Sequence, residues 1–265
     1  MKKDYITAES EASASAASEE FWTGRWDEKN IEVKDLSTSE EWGAIAGYFD
    51  KLPMEAKILD AGCGTGEWVL WLLERGFDVT GIDISDKTVK RLNAAFPGEH
   101  FKTGDVLNLD CDTESFDAVI SWGVFEHFEE GMQKPLREAA RVLKKGGMLM
   151  ISVPHDNLRH GIRGRGNLES WDGVFSKSGG YTKPVRFYQW RMTMEELRRE
   201  LLIAGYKPCA INPIYKRDGF QRFLEWDMGL KPGSMPFRVI NRIVTATGMI
   251  PKSFSHMIIA VAEKI

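Results

Sequence analysis

The feature that most constrains the fold is a regular alternation of short apolar segments with amphipathic ones, between residues 37 and 154. The apolar segments read AKILDA, DVTGID, EHFKTGD, FDAVISW and MLMISVP, and helical patterns such as EWVLWLLERGF and DKTVKRLNAAF separate most of them. Strands separated by helices of this length pair in parallel through right-handed crossovers. The sequence therefore predicts an α/β fold with a mostly parallel sheet.

The last third of the chain predicts further elements and two irregular stretches. MTMEELRRELLIAGY contains a capping box, the strand YKPCAIN follows it, and the chain ends on the apolar strand HMIIAVAEKI. The irregular stretches, at about 156–190 and 213–254, are predicted to be insertions that cover a substrate. Within the second one, MPFRVINRIVTATG has an apolar stripe bordered by Arg238 and Arg242. This pattern fits a lid helix, a membrane-surface helix or core packing, and core packing is the most frequent explanation.

Composition narrows the class of partner. The 265 residues carry a formal net charge of −4 and are 43% apolar, so the chain can build a core but has no global positive field to attract a nucleic acid. Three widely spaced cysteines form neither a zinc motif nor a disulfide framework. The first 20 residues lack the apolar stretch of a signal peptide, and no apolar run reaches the roughly 18 residues of a membrane span. We expect a cytoplasmic protein without stable membrane insertion, although peripheral contact stays open.

A glycine cluster between a strand and a helix, LDAGCGTGEW, predicts a ligand site. Gly62, Gly64 and Gly66 let the backbone turn sharply and approach a ligand, and Asp83 ends the next strand where a carboxylate can accept from ribose hydroxyls. The residues leave three alternatives: a nicotinamide cofactor, S-adenosylmethionine, or no ligand. The GxGxG spacing is followed at once by Glu67, which would repel a pyrophosphate, so a cofactor without phosphates is favoured.

Five ordered motifs carry a family resemblance: LDAGCGTG, GIDIS, TGDVLNL, FDAVISWGVFEH and LKKGGMLMISVP. Together they resemble class I S-adenosylmethionine-dependent methyltransferases, in particular the small-molecule branch that includes ubiquinone-pathway and sugar methyltransferases. The resemblance covers residues 56–154 and continues more weakly to the last strand. It implies a Rossmann-like seven-stranded sheet with helices on both faces and an antiparallel C-terminal strand, a methyltransferase domain over 37–265, S-adenosyl-L-methionine as cofactor, and no metal.

The resemblance also implies which residues bind the cofactor. Those at the ends of four strands are Asp60, Gly62, Gly64, Asp83, Ile84, Asp105, Val106, Ser121 and Trp122. Asp60, Gly62 and Gly64 surround the methionine end of the cofactor. Asp83 and Ile84 hold the ribose and flank the adenine, and Asp105 and Val106 contact the adenine. Ser121 and Trp122 face the methionine amine or the transferred methyl.

Residues 1–36 are predicted to form a mobile N-terminal segment and a cofactor lid, with order beginning near Phe21. In similar methyltransferases such a segment folds over the cofactor. In FWTGRW, Trp22, Arg25 and Trp26 are then candidates to cover the sulfonium by cation–π contact and to reach the cofactor's carboxylate. An aromatic patch that seals the first helix to the sheet is the equally plausible alternative.

Histidine is the candidate general base for methyl transfer to a hydroxyl. His127, in GVFEHFEE, follows a strand end, and related sugar methyltransferases use a histidine at a similar position as base. Related enzymes with an ExxEH pattern hold a metal, but Gly123 replaces the first Glu here and leaves only Glu126 and His127. His127 is thus a candidate base, an orienting residue or, least favoured, a metal ligand, and His155 is the rival base.

The substrate residues are predicted in the first insertion and beside it. Arg159 and Arg163 lie in LRHGIRGRG, which suits an anionic acceptor or a solvated loop, and Tyr181, Tyr188 and Trp190 are candidates to line the pocket. The function predicted is O-methylation of a hydroxyl on a sugar, glycan or related metabolite. N-methylation of an amine and a non-catalytic cofactor-binding module are the alternatives.

Overall fold

A seven-stranded sheet organises the chain, whose computed structural model describes residues 1–7, 18–53, 55–98, 100–157, 185–246 and 250–265. In these residues the strands are β1 (Lys2–Thr7), β2 (Lys57–Ala61), β3 (Asp78–Asp83), β4 (Phe101–Thr103), β5 (Phe116–Trp122), β6 (Leu143–Pro154), β7 (Val185–Arg191), β8 (Tyr206–Ile214) and β9 (Met257–Lys264). The helices are α1 (Glu19–Asp27), α2 (Glu40–Phe49), α3 (Glu67–Leu73), α4 (Asp86–Ala95), α5 (Gln133–Val142), α6 (Met194–Ile203), α7 (Lys216–Arg222) and α8 (Met235–Ala246).

The order of the large sheet is β4-β3-β2-β5-β6-β9-β8. The first five strands are parallel, and β9 lies between β6 and β8, antiparallel to both. The predicted fold class is confirmed, including the antiparallel C-terminal strand. Because the connections leave β2 and β5 toward opposite edges of the sheet, the carboxyl ends of these two strands form the crevice where ligands bind in such sheets.

Apolar side chains cover both faces of the sheet. On one face, Ile45 of α2, Trp71 of α3 and Leu92 of α4 pack in one buried cluster. On the other, Leu136 of α5 and Leu201 of α6 belong to a second cluster. All five side chains are buried, so helices on both faces make the strand interiors inaccessible to water and leave the sheet's edges and strand ends for function.

Two helix starts carry side-chain caps, one of which the sequence predicts. Thr193 accepts from the backbone N–H of Glu196, whose carboxylate accepts from the backbone N–H of Thr193 in return, which is the predicted capping box. Ser85 accepts from the N–H of Thr88 at the start of α4. These caps fix where the chain leaves the sheet.

A second, two-stranded sheet was not predicted. In it β1 pairs antiparallel with β7, and the buried Arg191 donates from Nε to Asp4 Oδ1 over 2.7 Å. Residues 2–7 are therefore a strand, which corrects the expectation that order begins near Phe21. The reason is tertiary: the segment gains order from a partner strand 185 residues away in the sequence, and composition carries no signal for that partner.

Part of the predicted substrate region lies outside the described residues, namely Arg159, Arg163 and Tyr181. The described remainder of the first insertion forms β7. The second insertion contains α7, α8 and a π-helical turn over Phe223–Asp227.

Replacing Asp4 with Ala should destabilise the protein because the buried Arg191 would lose its closest anion. Both side chains are no more than 3% exposed, and breaking such a pair costs on the order of 3 kcal/mol. Urea denaturation measures the loss. Lys2→Ala is the matched control, because Lys2 pairs with Asp156 from a half-exposed position, and its loss should stay under about 0.5 kcal/mol. Equal effects of the two changes would show that the pair does not anchor β1.

Candidate active site

A cavity of about 210 Å³ lies at the carboxyl ends of β2, β3, β4 and β5, under α1. Its walls are Trp22, Trp26, Lys29, Asp60, Gly62, Cys63, Gly64, Thr65, Glu67, Asp83, Ile84, Gly104, Asp105, Val106, Trp122, Gly123, Val124, His127 and Phe128. Its floor is thus made by loops that follow four adjacent parallel strands, at the crevice that the strand order creates.

The glycine loop closes one side of the cavity and has no room for side chains. Gly62 has a φ of 89°, and a Cβ there would lie 2.5 Å from Val124 Cγ2. Gly64 has a φ of 52°, and a Cβ there would lie 3.1 Å from the ring of Trp26. The left-handed backbone and the close neighbours explain why glycine is required at both positions.

Two buried aspartates stand beside this loop. Asp83 accepts from the backbone N–H groups of Gly64 and Ser85, at 2.8 and 2.9 Å, and so ties β3 to the loop. Asp60 is 2% exposed, and its Oδ1 has no hydrogen-bond partner. Burial, followed by the charge of Asp83, raises the pKa of Asp60 to about 8. An unpartnered buried carboxyl in a cavity wall is suited to bind a cationic group, which would favour its ionised form.

Helix α1 covers the cavity with aromatic rings. Trp22 and Trp26 stack with their ring centroids 5.5 Å apart. Thr23 shares a 2.7 Å hydrogen bond with Ser85, and Arg91 of α4 donates to the carbonyl of Trp26 over 3.0 Å. The helix is thus docked on the start and outer face of α4 while its two indoles face the cavity.

His127 lies in a short 3₁₀ helix, Phe125–His127, immediately after β5. Its Nδ1 is 2.7 Å from the carbonyl oxygen of Tyr188, and because a carbonyl only accepts, Nδ1 carries the proton and Nε2 keeps a free electron pair. The rings of Trp22 and Tyr188 each lie 4.9 Å from the imidazole. This packing fixes the orientation of the ring.

Burial is the main cause that lowers the pKa of His127, to about 4, and the charge of Arg25 adds to it. Hydrogen bonds with the backbone of Tyr188 and Gly123 oppose the shift. The imidazole of this cavity-lining residue is therefore neutral at physiological pH.

Glu126 is also buried, at 1% exposure, and its Oε2 has no partner. Burial raises its pKa to about 8, so the side chain is a neutral acid at pH 7. Its Oε1 lies 4.0 Å from His127 Nε2, too far for a hydrogen bond. Within the parts of the chain that the structure describes, no group of three His, Cys, Asp or Glu side chains is placed to hold a metal ion.

Most of the predicted cofactor residues meet at this cavity. Those in its walls are Trp22, Trp26, Asp60, Gly62, Gly64, Asp83, Ile84, Asp105, Val106 and Trp122, together with the candidate base His127. Sequence reasoning missed Cys63, Thr65, Gly104, Val124, Phe128 and Lys29. The first four are neighbours of predicted residues in the same strand-end loops, so widening each motif by one or two positions would have found them.

Two predicted cofactor residues lie elsewhere. Ser121 is buried and donates over 2.6 Å to the carbonyl of Ala61, so it joins β5 to β2 and does not face the ligand. Arg25 is exposed, and its guanidinium stands over the rings of Phe21 and Tyr188. The structure does not bring these two side chains to the cavity, because successive residues of a strand point to opposite faces of the sheet and successive residues of a helix point about 100° apart.

Three further candidates lie outside the described cavity walls, and two of them support wall residues. Trp190 donates from Nε1 to the carbonyl of Phe128 over 3.0 Å, and Tyr188 holds His127 through its carbonyl, so both stand behind the cavity wall and do not line it for a substrate. His155 is buried, its Nδ1 lies 3.2 Å from the carbonyl of Ser255, and burial lowers its pKa. It is absent from the described cavity walls, so the structure does not bring this candidate base to the cavity.

Comparison with known proteins shows which family the chain is similar to. The family described as "Methyltransferase domain" matches residues 59–151. A tRNA (carboxymethyluridine(34)-5-O)-methyltransferase of Arabidopsis thaliana is 36% identical over 115 residues, which are 43% of this chain and 28% of that protein. The ubiquinone/menaquinone biosynthesis C-methyltransferase UbiE of Campylobacter jejuni is 34% identical over 172 residues, which are 59% of this chain and 72% of that protein.

The chain belongs to the class I S-adenosylmethionine-dependent methyltransferases. It spans well under half the length of the first curated relatives that it matches. A chain in the complex between the Haloferax volcanii Trm112 methyltransferase activator and the putative methyltransferase has the same fold, with a TM-score of 0.57 at 18% identity over 94% of this chain and 97% of that one.

S-adenosylmethionine is the cofactor that this family uses, and the methyltransferase cavity fits it. The ligand is a cation without phosphates, and the cavity offers a buried, unpartnered Asp60 oxygen together with a glycine loop flanked by Glu67. Asp83 adds a second carboxylate, held in place by two backbone N–H groups. A pyrophosphate would meet repulsion from this set of acids.

Replacing Gly62 with Ala should weaken both the fold and cofactor binding, because the new Cβ would strain a left-handed residue and displace Val124. The expected loss is about 2 kcal/mol of stability and about tenfold in affinity for S-adenosylmethionine. Urea unfolding and calorimetric titration measure the two effects. Gly47→Ala is the control: it lies in α2 with open space around it and should stabilise by up to about 1 kcal/mol.

Asp60 and Glu126 should make stability fall as pH rises from about 4 to about 8, because their folded pKa values of about 8 exceed the ordinary values of 3.8 and 4.5. In this range the folded protein keeps protons that the unfolded chain releases. Each group therefore lowers the free energy of unfolding by up to about 1.4 kcal/mol per pH unit. The lowered pKa of His127 acts in the opposite direction between about 4 and 6.5, so the fall should be steepest above pH 6.5. Urea unfolding across the range measures the slope. The double variant Asp60→Asn, Glu126→Gln should flatten it, whereas Asp78→Asn, at an exposed position, should not.

Proposed function

We propose that this methyltransferase transfers a methyl group to a hydroxyl oxygen of a small molecule, with His127 accepting the hydroxyl's proton. One observation carries the proposal: the neutral imidazole of His127, held at Nδ1 by the Tyr188 carbonyl, stands in the wall of the same cavity as the glycine loop and Asp83. When bound, S-adenosylmethionine supplies an electrophilic methyl group on a sulfonium sulfur.

The cofactor is placed by the strand-end residues. Asp60 pairs with its amine, because the free Oδ1 is buried beside the loop. Asp83 accepts from the ribose hydroxyls, with Ile84 against the adenine. Asp105 and Val106 complete the adenine end, where Asp105 Oδ1 is already oriented by the N–H of Leu107 over 2.8 Å. Trp122 and His127 line the same cavity and would face the methyl group that the bound cofactor supplies.

The low basicity of His127 is compatible with its role. A hydroxyl becomes strongly acidic as its oxygen bonds to a methyl group. The proton acceptor therefore has to be neutral and correctly placed, but it does not have to be a strong base. The Tyr188 carbonyl holds Nδ1–H and stabilises the imidazolium that forms when Nε2 takes the proton. Glu126, neutral at pH 7, adds no negative charge that would pre-protonate the imidazole.

The aromatic walls select the acceptor and exclude water. Trp22, Trp26, Trp122 and Phe128 line the cavity around His127. Such walls favour an acceptor with a flat or apolar face, a phenol or the apolar face of a sugar, whose hydroxyl points at Nε2.

The anionic acceptor suggested by Arg159 and Arg163 remains a prediction, as does a cytoplasmic location.

The relatives supply competing acceptors. The Campylobacter protein is described as a C-methyltransferase of quinone synthesis and the Arabidopsis protein as a tRNA O-methyltransferase. The net charge of −4 opposes the binding of a polyanionic tRNA, so a small molecule is favoured. An amine acceptor, or a module that binds the cofactor without turnover, are the alternatives that an assay must separate.

The test is turnover against hydroxylated metabolites and glycans, quinols, amines and tRNA, first with the wild-type protein and then with His127→Ala. The variant should bind S-adenosylmethionine normally and lose about 10²- to 10⁴-fold in kcat with a hydroxyl acceptor. His155→Ala is the matched control, a buried strand-end histidine outside the cavity walls, and it should keep its kcat. Unchanged kcat with weakened cofactor binding in His127→Ala would contradict the role as base.

The pH profile gives an independent check. Because the pKa of His127 is lowered to about 4, the acidic limb of kcat/KM should lie near pH 4 and not near the ordinary 6.5, with activity lost as pH falls through it. The limb should be absent from the residual activity of His127→Ala. A limb near 6.5 that survives the substitution would assign the base to another group.

A further inference from the structure

Helix α8 carries an apolar row that faces solvent. Met235, Val239 and Ile243 follow one another at four-residue spacing and are 74%, 44% and 58% exposed. Residues at this spacing lie on one helix face. The stripe noted in the sequence comprises Phe237, Ile240, Ile243 and Val244, and of these only Ile243 belongs to this row. Core packing does not account for the three exposed side chains, so the row needs another explanation.

Cations flank this row and no acid interrupts it. Arg238 and Arg242, also four residues apart, are exposed beside it, and neither pairs with a carboxylate in the described chain. From residue 228 to residue 254 the sequence contains four Lys and Arg and no Asp or Glu, although the whole chain has a net charge of −4. A depression along α8 is lined by Arg217, Phe237 and the two arginines of the helix.

The position of α8 relates it to the cavity. The chain leaves β8 at Ile214 and enters β9 at Met257, and these residues pair with each other. Since β8 runs in the same direction as β5 and β6, both residues lie at the sheet edge formed by the carboxyl ends of those strands. The segment that contains α8 thus emerges at the same edge of the sheet as the cofactor cavity.

We propose that α8 docks this methyltransferase on the surface of an anionic lipid bilayer. Met235, Val239 and Ile243 enter the boundary between headgroups and acyl chains, and Arg238 and Arg242 contact lipid phosphates. A helix with an apolar row, flanking arginines and no acid matches that surface in both hydrophobicity and charge. Within the described residues no helix is long and apolar enough to span a membrane, so the contact is peripheral. Docking through α8 would bring the sheet edge that carries the cofactor cavity toward acceptors that partition into lipid.

Vesicle flotation tests the proposal on the full chain, without cofactor or acceptor, so the result does not depend on the proposed reaction. Phosphatidylcholine vesicles are compared with vesicles that contain about 30 mol% phosphatidylglycerol. The protein should float with the anionic vesicles only, and about 0.5 M NaCl should release much of it, because screening weakens the charged contacts.

Two variants and their controls locate the surface. Ile243→Glu and the double variant R238E/R242E should each lower the apparent partition coefficient about tenfold or more. Ile203→Glu and R198E/R199E on α6 are matched controls, since Ile203 is 55% exposed, and they should bind as wild type. Thermal unfolding establishes that each variant is folded.

Three results would overturn the proposal. They are no flotation with anionic vesicles, equal flotation with both kinds of vesicle, and equal loss in the α6 controls. A wild-type dimer in solution that Ile243→Glu converts to monomer, without vesicle binding, would assign the row to a second copy of the chain.

Discussion

The crevice between the carboxyl ends of β2 and β5 is the constraint on which the site depends. Right-handed crossovers send the chain from β2 toward one sheet edge and from β5 toward the other, so no connection covers this line. The loops that follow four parallel strands have to turn there, and their polar groups converge without any further specification. The sheet sets the positions of these loops, and the residues in the loops determine which ligand binds.

The small sheet of β1 and β7 holds the reactive end of this crevice. The Tyr188 carbonyl on β7 fixes the tautomer of His127, and Trp190 on the same strand binds the carbonyl of Phe128. The Asp4–Arg191 pair anchors β1 to β7 below them. A segment at the start of the sequence thus supports the orientation of an imidazole more than 120 residues away, which links the stability of the N-terminal strand to the geometry of the site.

Buried ionisable groups give the cavity its electrostatic character. Desolvation keeps Asp60 and Glu126 protonated and His127 neutral near pH 7, so these three buried side chains carry little formal charge before a ligand binds. A cationic cofactor favours the ionised form of Asp60, and its binding is coupled to release of that proton. The aromatic lid of α1 lowers the local polarity further and excludes the water that would screen these charges.

The sequence by itself determined the fold class and the succession of the main strands and helices along the chain, and the family resemblance that it carries named most of the strand-end residues that line the cavity. The fold class and the glycine loop rest on local information, namely apolar periodicity and glycines at a turn, whereas residues such as Asp105 and Trp122 were implied by the resemblance of five ordered motifs. Only the tertiary structure decided that β1 pairs with β7, that Ser121 and Arg25 point away from the cavity, that His155 lies outside its walls, and that the apolar row of α8 faces solvent. These outcomes depend on contacts between residues distant in sequence and on the direction in which a side chain points from its strand or helix. Local composition specifies neither of them.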